Sequence, residues 1–285
     1  MTKTNSQAAL LLVGLGDLGG RIASLAQQAD IKVIGMRRGT QTPAGVQLLQ
    51  HDASTPWPAV AEPIADLLLC LSPDNRSPAA YQQAYCQVAE QALHWWQQQA
   101  TPPHIWLISS TSVYGQQQGE WVDEQSPRQP LTDTARLLVQ TEQRYLQSSA
   151  PVTILRPSGL YGPGRTYLLR QAQATAPDAK PPADDHYTNR IHITDAARAV
   201  VHLLQLRRRG ATLADSYNLS DTQPAPLQQV LSFIRQQLLA QPQAEAPITT
   251  ALGGKRISSA RLAASGFVWQ YPDYRSGYLS MLNNN

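Results

Sequence analysis

The sequence predicts an α/β protein: a doubly wound parallel sheet with a small C-terminal cap. Three observations carry this. Short apolar runs alternate with segments of helical apolar spacing, as in a parallel sheet covered on both faces. A glycine-rich turn stands where the first apolar run hands over to the first helical segment. Less regular pieces, Pro177–Asp185 and the region after Asp221, gather in the C-terminal part and are assigned to the cap. The expected division is 1–165 for the sheet domain and 166–285 mainly for the cap. The two interleave, with 187–220 completing the sheet and its helices.

Ala8–Val13 is the first strand, and Arg21–Ala29 carries the helical spacing Ile22, Leu25, Ala26. Between them Gly14, Gly16 and Gly19 form G-x-G-x-x-G. Gly14 allows the tight turn. Gly16 has no side chain to hold a pyrophosphate off the backbone. Gly19 lets the helix lie close on the strand. Free amides and the helix dipole at that N-terminus favour an anion. Ile31–Met36 follows as the second strand, so the motif has the context it requires. The alternative is a strand–helix turn whose glycines serve packing. The first domain is therefore read as Rossmann-like and NAD(P)-binding, with Gly14, Gly16, Asp17, Leu18 and Gly19 on the phosphate side.

After the second strand an NAD site usually places Asp or Glu on the ribose hydroxyls. Here stand Arg37 and Arg38. A carboxylate would repel a 2′-phosphate, whereas a guanidinium binds it in bidentate fashion. The expected cofactor is NADP, with NAD as the alternative. Two solvated arginines at a strand end are the plainer reading.

Val46–Leu49 is the third strand, ending at His51-Asp52, and Ala65–Leu71 is the fourth. Ser77-Pro78 starts a helix with a serine cap and a first-turn proline. It runs to about Gln99, and Thr101-Pro102-Pro103 stops it. His104–Ser109 is the fifth strand, Pro130–Gln147 a long helix and Val152–Leu155 the sixth strand. Arg190–Ile193 is extended, and Thr194 caps a helix over Asp195–Arg209. Ser216–Leu219 is a late strand and Leu227–Leu239 a helix. Ser259–Ala264 is a short helix closed by Gly266.

The whole chain sets limits. Its 285 residues are 42% hydrophobic and 15% charged, with a net charge of +3. These values suit a soluble globular protein and offer no basic block for nucleic acid. Arg207–Arg209 before Gly210 is an ordinary helix ending. Cys70, in a strand, and Cys86, in a helix, lack metal-type spacing, as do the six histidines, so no metal site is expected. The cysteine usage suits a reduced, cytoplasmic setting. Lys3 and the following apolar run are read as the first strand and not as a leader peptide. No run approaches the ~18 apolar residues of a membrane span.

Four further motifs stand in order: SSTSVYG (Ser109–Gly115), LRPSGLYGPGR (Leu155–Arg165), NRIHITDAARAV (Asn189–Val200) and SYNLSD (Ser216–Asp221). GFVWQYPDYRSG (Gly266–Gly277) follows near the end. With the glycine turn, these resemble extended short-chain dehydrogenases/reductases of the NAD(P)-dependent epimerase/dehydratase family, over nearly the whole chain. The resemblance implies hydride transfer between a dinucleotide and a carbonyl, alcohol or sugar substrate, with nucleotide sugars among the candidates. It matches Ser110 to the residue that hydrogen-bonds the reacting oxygen, although a strand-end turn serine is an equal reading in isolation. It places Asp52 near the adenine, Leu71-Ser72 along the ribose and nicotinamide, and Arg156-Pro157-Ser158 beside the nicotinamide. Arg156 could equally be an ion-pair partner. Thr111, Ser112, Arg190 and His192 fall on the substrate side. His192 reads more readily as structural than as a base, and helix electrostatics alone explain Asp195. Relatives pair through their two long helices, here Pro78–Gln99 and Pro130–Gln147, so a homodimer is one option.

Two departures from the family pattern bear on chemistry. Its proton donor is a tyrosine four residues before a lysine, on one helix face. Those positions are Thr134 and Leu138 here. Hydride transfer at a carbinol carbon needs a proton partner with a pKa near the working pH. A threonine hydroxyl without a neighbouring base is far too weakly acidic, so Ser110 and Thr134 imply a non-standard arrangement. The glycine turn also departs from the family's G-x-x-G-x-x-G, with Val13 at the first glycine. Both features resemble atypical members. The alternative function is a catalytically silent NADP-binding sensor or regulator.

Overall fold

The first strand, β1 (Ala9–Val13), is buried along its whole length. It is central to a seven-stranded sheet that also contains β2 (Val33–Arg37), β3 (Gln47–Gln50), β4 (Ile64–Leu69), β5 (His104–Ile108), β6 (Val152–Pro157) and β7 (Ser216–Leu219). The order is β7-β6-β5-β4-β1-β2-β3. The pairs from β3 through β6 are parallel, with Leu11 opposite Ile34 on one side and Leu67 on the other. This is the doubly wound arrangement, whose crevice lies outside the carboxyl ends of the strands. The computed structural model describes residues 8–174, 185–239 and 253–283. Residues 1–7 and most of the expected irregular piece Pro177–Asp185 lie outside them.

The chain divides into two units. The first comprises Met1–Val113, Pro130–Arg156 and Ala197–Tyr217; the second comprises Tyr114–Gln129, Pro157–Ala196 and Asn218–Asn285.

In the first unit, α1 (Asp17–Gln28) buries Leu18, Ile22, Ala23 and Ala26 at helical spacing. It begins four residues before the apolar pattern suggests, because Gly19 and Gly20 add nothing to that pattern. The expected helix 78–99 is a composite. Ser77 caps Pro78–Tyr81 by accepting from the Ala80 amide at 3.2 Å. A π-helical segment, Gln82–Gln87, follows, and then α2 (Val88–Gln97). The helix expected over 130–147 is α3 (Asp133–Leu146), with Thr132 as N-cap. Among the described residues no helix is long and apolar enough to cross a membrane.

A buried carboxylate on β4 is held by charges within this unit. Asp66 on β4 is fully buried and accepts from Trp106 Nε1 at 2.9 Å, Arg207 Nε at 2.9 Å and Arg208 Nε at 2.8 Å. Both arginines end the helix α4 (Ile193–Arg208). Cations at a helix C-terminus are favourable, and a paired buried carboxylate needs such partners.

His104, at the start of β5, lies near this cluster and bonds Thr153 Oγ1 at 3.0 Å. Burial, helped by Arg207 and opposed by Asp66, lowers its pKa from 6.5 to about 4. The unfolded chain therefore takes up this proton first. Stability that is complete above pH ~6.5 is lost as the pH falls towards ~4. Melting temperature followed across that window should fall less steeply for His104→Gln than for the unsubstituted protein. Equal slopes would remove His104 from the acid response.

The second unit holds two small sheets. Gly159–Tyr161 pairs in parallel with Arg190–His192. A four-stranded sheet has the order Ala225–Pro226, His186–Thr188, Gly253–Ile257, Gln118–Val122. Helices Tyr167–Ala174, Leu227–Leu239 and Tyr274–Asn283 surround a core that includes Tyr161, Leu169, Ile234, Tyr274 and Tyr278. The short helix Ala260–Ala264 ends towards Gly266, whose φ of 84° is the left-handed conformation expected of a closing glycine.

Candidate functional site

A cavity of about 370 Å³ opens in the first unit where β1, β2 and β4 end. Its first wall is the glycine turn. Gly14 has φ +96°, and a Cβ there would lie 2.2 Å from the Cys70 carbonyl oxygen. Its amide donates to the Met36 carbonyl at 2.9 Å, tying the turn to β2. A Cβ on Gly19 would lie 2.0 Å from the Gly14 carbonyl oxygen, so the third glycine is required by contact with the first. Gly16 differs from both. No atom lies within 4 Å of where its Cβ would stand. It faces open space at the N-terminus of α1, the room that a pyrophosphate needs against the backbone.

The second wall carries the charges. Arg37 Nη1 donates to the carbonyls of Leu15 (3.2 Å) and Gln41 (2.7 Å), which braces the loop. Arg38 presents its fork to Asp74, with Nη1–Oδ2 at 3.1 Å and Nη2–Oδ1 at 2.5 Å. That pairing raises the Arg38 pKa and lowers that of Asp74. Asp52 accepts from the Ser54 amide at 3.0 Å and the Ser54 hydroxyl at 2.8 Å, and these bonds hold its carboxyl below its usual range. Leu71 and Ser72 complete the wall after β4, and the π-helical segment contributes Gln83 and Ala84.

The cavity thus brings together Gly14, Gly16, Arg37, Arg38, Asp52, Leu71 and Ser72. Asp17 and Leu18 stand beside it on α1, Asp17 paired to Arg21 at 2.9 Å and Leu18 buried. Asp74, His51 and Gln83 were not singled out from the sequence. Asp74 had a signal, since it lies in the loop after the fourth strand, where such sheets carry function.

The residues expected at the nicotinamide end are engaged as follows. Ser110 Oγ accepts from the Ser112 amide at 3.1 Å, in a turn where Thr111 is buried and Ser112 exposed. Thr134 is half-buried, its hydroxyl 3.1 Å from that of Thr132. Leu138 is buried in the helix face. Arg156 is buried and forms a two-pronged pair with Glu142, Nε–Oε1 at 3.0 Å and Nη2–Oε2 at 2.8 Å. Glu142 also accepts from the Ser109 hydroxyl at 2.6 Å. In the second unit, Ser158, next to Pro157, donates to the Leu219 carbonyl and lies 3.1 Å from Ser220 Oγ. His192 is buried between the rings of Tyr161 and Tyr271, and its Nδ1 accepts from the Thr194 amide. Arg190 is buried beside Thr188 and the Tyr274 ring.

The sheet order and the glycine-walled cavity at its carboxyl edge define a Rossmann-like α/β protein. Residues 10–220 match the model of the NAD dependent epimerase/dehydratase family, and the chain belongs to that family. It is 34% identical over 216 residues to Protein YeeZ of Escherichia coli K12, covering 73% of each chain. A structure assigned as an NAD-dependent epimerase/dehydratase from Methylobacillus flagellatus is 33% identical. It superposes with a TM-score of 0.81 over 98% of both chains. The human epimerase family protein SDR39U1 (isoform 2), solved with NADPH, has the same fold. It shows a TM-score of 0.71 and 15% identity over 97% of this chain and 100% of that one.

Proposed function

We propose that the protein is an NADP-dependent oxidoreductase or epimerase acting on a carbonyl, alcohol or sugar. The observation that carries the cofactor reading is one cavity with open backbone at Gly16 and a guanidinium fork at Arg38. The fit is specific in character. Gly16 leaves room for a pyrophosphate on the amides of α1, and Arg38 already holds a carboxylate in two-pronged fashion, as it would a 2′-phosphate. When bound, the nicotinamide supplies a hydride donor or acceptor. Ser110 would hold the reacting oxygen, and Thr134 is the residue at the donor position. Ser110 Oγ accepts from the Ser112 amide and the Thr134 hydroxyl meets that of Thr132, so proton exchange with water or a substrate group would complete the reaction.

The reading is tested by titrating NADPH and NADH while following nicotinamide fluorescence. NADPH should bind more tightly. Arg38→Ala should weaken NADPH by about tenfold or more, the order of one charged two-pronged contact, and leave NADH nearly unchanged. Asp74→Asn should act in the opposite direction and tighten NADPH severalfold, because Asp74 competes for the same fork and repels a phosphate. Equal affinities for the two dinucleotides in the unsubstituted protein would end the NADP reading.

A second reading, a silent NADP-binding sensor, is favoured by Leu138. A buried leucine stands where the family resemblance calls for the lysine. A turnover screen over aldehydes, ketones and nucleotide sugars with both cofactors separates the two. Loss of turnover in Ser110→Ala on any hit supports catalysis, and binding without turnover across the screen favours the sensor.

A further inference from the structure

Asp221 closes the SYNLSD motif, and the proposed function makes no use of it. It is fully buried in the second unit, and its Oδ2 has no hydrogen-bond partner among the described residues. Its Oδ1 accepts from the Gln223 amide at 3.2 Å. A carboxyl group taken out of water with one oxygen unpartnered is held in its uncharged form, because desolvation penalises the carboxylate. Burial accordingly pushes the Asp221 carboxyl from 3.8 up to about 8. Arg190 and the Gln223 amide oppose this rise, and Asp273 adds to it.

The end of the chain packs around this acid. Thr222 donates twice to the Pro272 carbonyl, from its amide at 2.9 Å and from its hydroxyl at 2.7 Å. The Tyr161 hydroxyl donates to the Asp273 carbonyl at 3.4 Å, and Arg275 Nη1 to Gln223 Oε1 at 3.1 Å. The helix Tyr274–Asn283 follows at once and sets its Tyr278 ring 4.8 Å from that of Tyr161. Both phenols lie within electrostatic reach of the Asp221 carboxyl, and burial keeps both protonated. On the strand Arg190–His192, the Arg190 carbonyl accepts from the Asp221 amide at 2.8 Å. The charged and titratable groups on these elements are thus Arg190, His192, Tyr161, Asp273, Tyr274, Arg275 and Tyr278. Of these, Arg190 draws Asp221 towards ionisation and Asp273 away from it.

We propose that the helix Tyr274–Asn283 is a proton-controlled cover, seated over Asp221 while that residue is an uncharged acid and released as it ionises. The step is a protonation equilibrium and nothing else. With the helix seated, Asp221 keeps its proton on a carboxyl that water does not reach. With the helix lifted, the carboxyl is solvated, returns to the ordinary carboxylate range and gives its proton to water. Lifting therefore releases one proton and is favoured by rising pH. Seating is at full strength below pH ~4 and weakens as the pH rises to about 8, beyond which both forms are ionised. Tyr278 also walls a cavity of about 440 Å³ in this unit, so the same proton governs that wall. The device operates whether or not the protein transfers hydride.

The test is amide hydrogen exchange on the full chain at pH 6.0 and pH 7.5, each rate divided by the intrinsic rate at that pH. The opening constant of the Tyr274–Asn283 amides should rise about twentyfold between the two, the linkage expected for one carboxyl passing from about 8 to its ordinary range. Asp221→Asn keeps the shape and removes the titration, so its opening constant should be the same at both pH values. Asp273→Asn should retain most of the rise, since it leaves the Asp221 proton in place. Because Asp221 is buried, its carboxyl carbon is also followed by NMR in the unsubstituted protein, with a midpoint expected near 8. The proposal is overturned by an opening constant that does not change with pH in the unsubstituted protein, or by a rise that survives Asp221→Asn. A rise that disappears in Asp273→Asn, or a carboxyl midpoint below about 6, also overturns it.

Discussion

Glu142→Ala should destabilise the protein by about 3–5 kcal/mol, the usual consequence of stripping one partner from a buried ion pair. Glu142 is fully buried on α3, and the Arg156 side chain is 4% exposed on β6. Both prongs of the pair are short, and the Ser109 hydroxyl adds a third bond at 2.6 Å. Removing the carboxylate leaves a guanidinium without its charge partner in a site that water does not reach. It also releases the residue immediately before Ser110. Urea unfolding should show the midpoint shift with little change in slope. The double variant Glu142→Leu, Arg156→Met should recover much of the loss, because two apolar groups of similar volume remove the desolvation penalty along with the charges. A loss under about 1 kcal/mol in the single variant would mean that water or another group compensates Arg156. If nicotinamide-linked activity is found, Glu142→Ala should reduce it beyond the loss of folded protein, since Ser110 follows directly from the bond that was cut.

The same cluster shows what could be read from the sequence and what could not. The inner strands of the sheet were legible, because parallel strands buried on both faces are apolar runs that stand out against helical spacing. The glycine turn was legible because steric demands act locally: Gly14 and Gly19 are held by contacts within a few residues or with the adjoining strand. Long-range polar pairing leaves no such trace. Arg38 meets Asp74 from 36 positions away, and Arg207 meets Asp66 from 141. Neither partner carries a periodic signal. Arg156 looked equally suited to the cofactor or to an ion pair, and which acid it would meet depended on the packing of α3 against β6.

Five strands in the second unit, His186–Thr188 and Ala225–Pro226 among them, went unread for a related reason. Gln118–Val122 and Gly253–Ile257 are polar or glycine-bearing and pair with each other across more than a hundred residues. Gly159–Tyr161 is three residues long. Short strands in small sheets offer no apolar run, and their hydrogen bonds are set by tertiary contact. The π-helical segment Gln82–Gln87 is invisible for another reason: its residues have ordinary helical propensity, and the extra residue per turn changes only which side chains face the cavity.

Gly16→Val should abolish NADPH binding while leaving the fold intact, and Gly14→Ala should damage the fold itself. The two glycines sit two residues apart in one motif, yet their surroundings differ in kind. At Gly14 a methyl group meets the Cys70 carbonyl oxygen at 2.2 Å, and φ is +96°. Both strain and overlap oppose any side chain, so unfolding free energy should drop by about 3 kcal/mol or more. At Gly16 φ is −76°, an ordinary value for any L residue, and the position of a Cβ is empty to 4 Å. A Cβ fits there without touching the protein. What it would fill is the space against the α1 amides where a pyrophosphate must lie. Loss of two charge-assisted amide bonds corresponds to about a hundredfold or more in affinity. Fluorescence titration with NADPH should show this, with a melting temperature within a degree or two of the unsubstituted protein. Retention of full NADPH affinity in a folded Gly16→Val protein would show that the dinucleotide does not cross this turn. The cavity beside Arg38 would then need a different ligand.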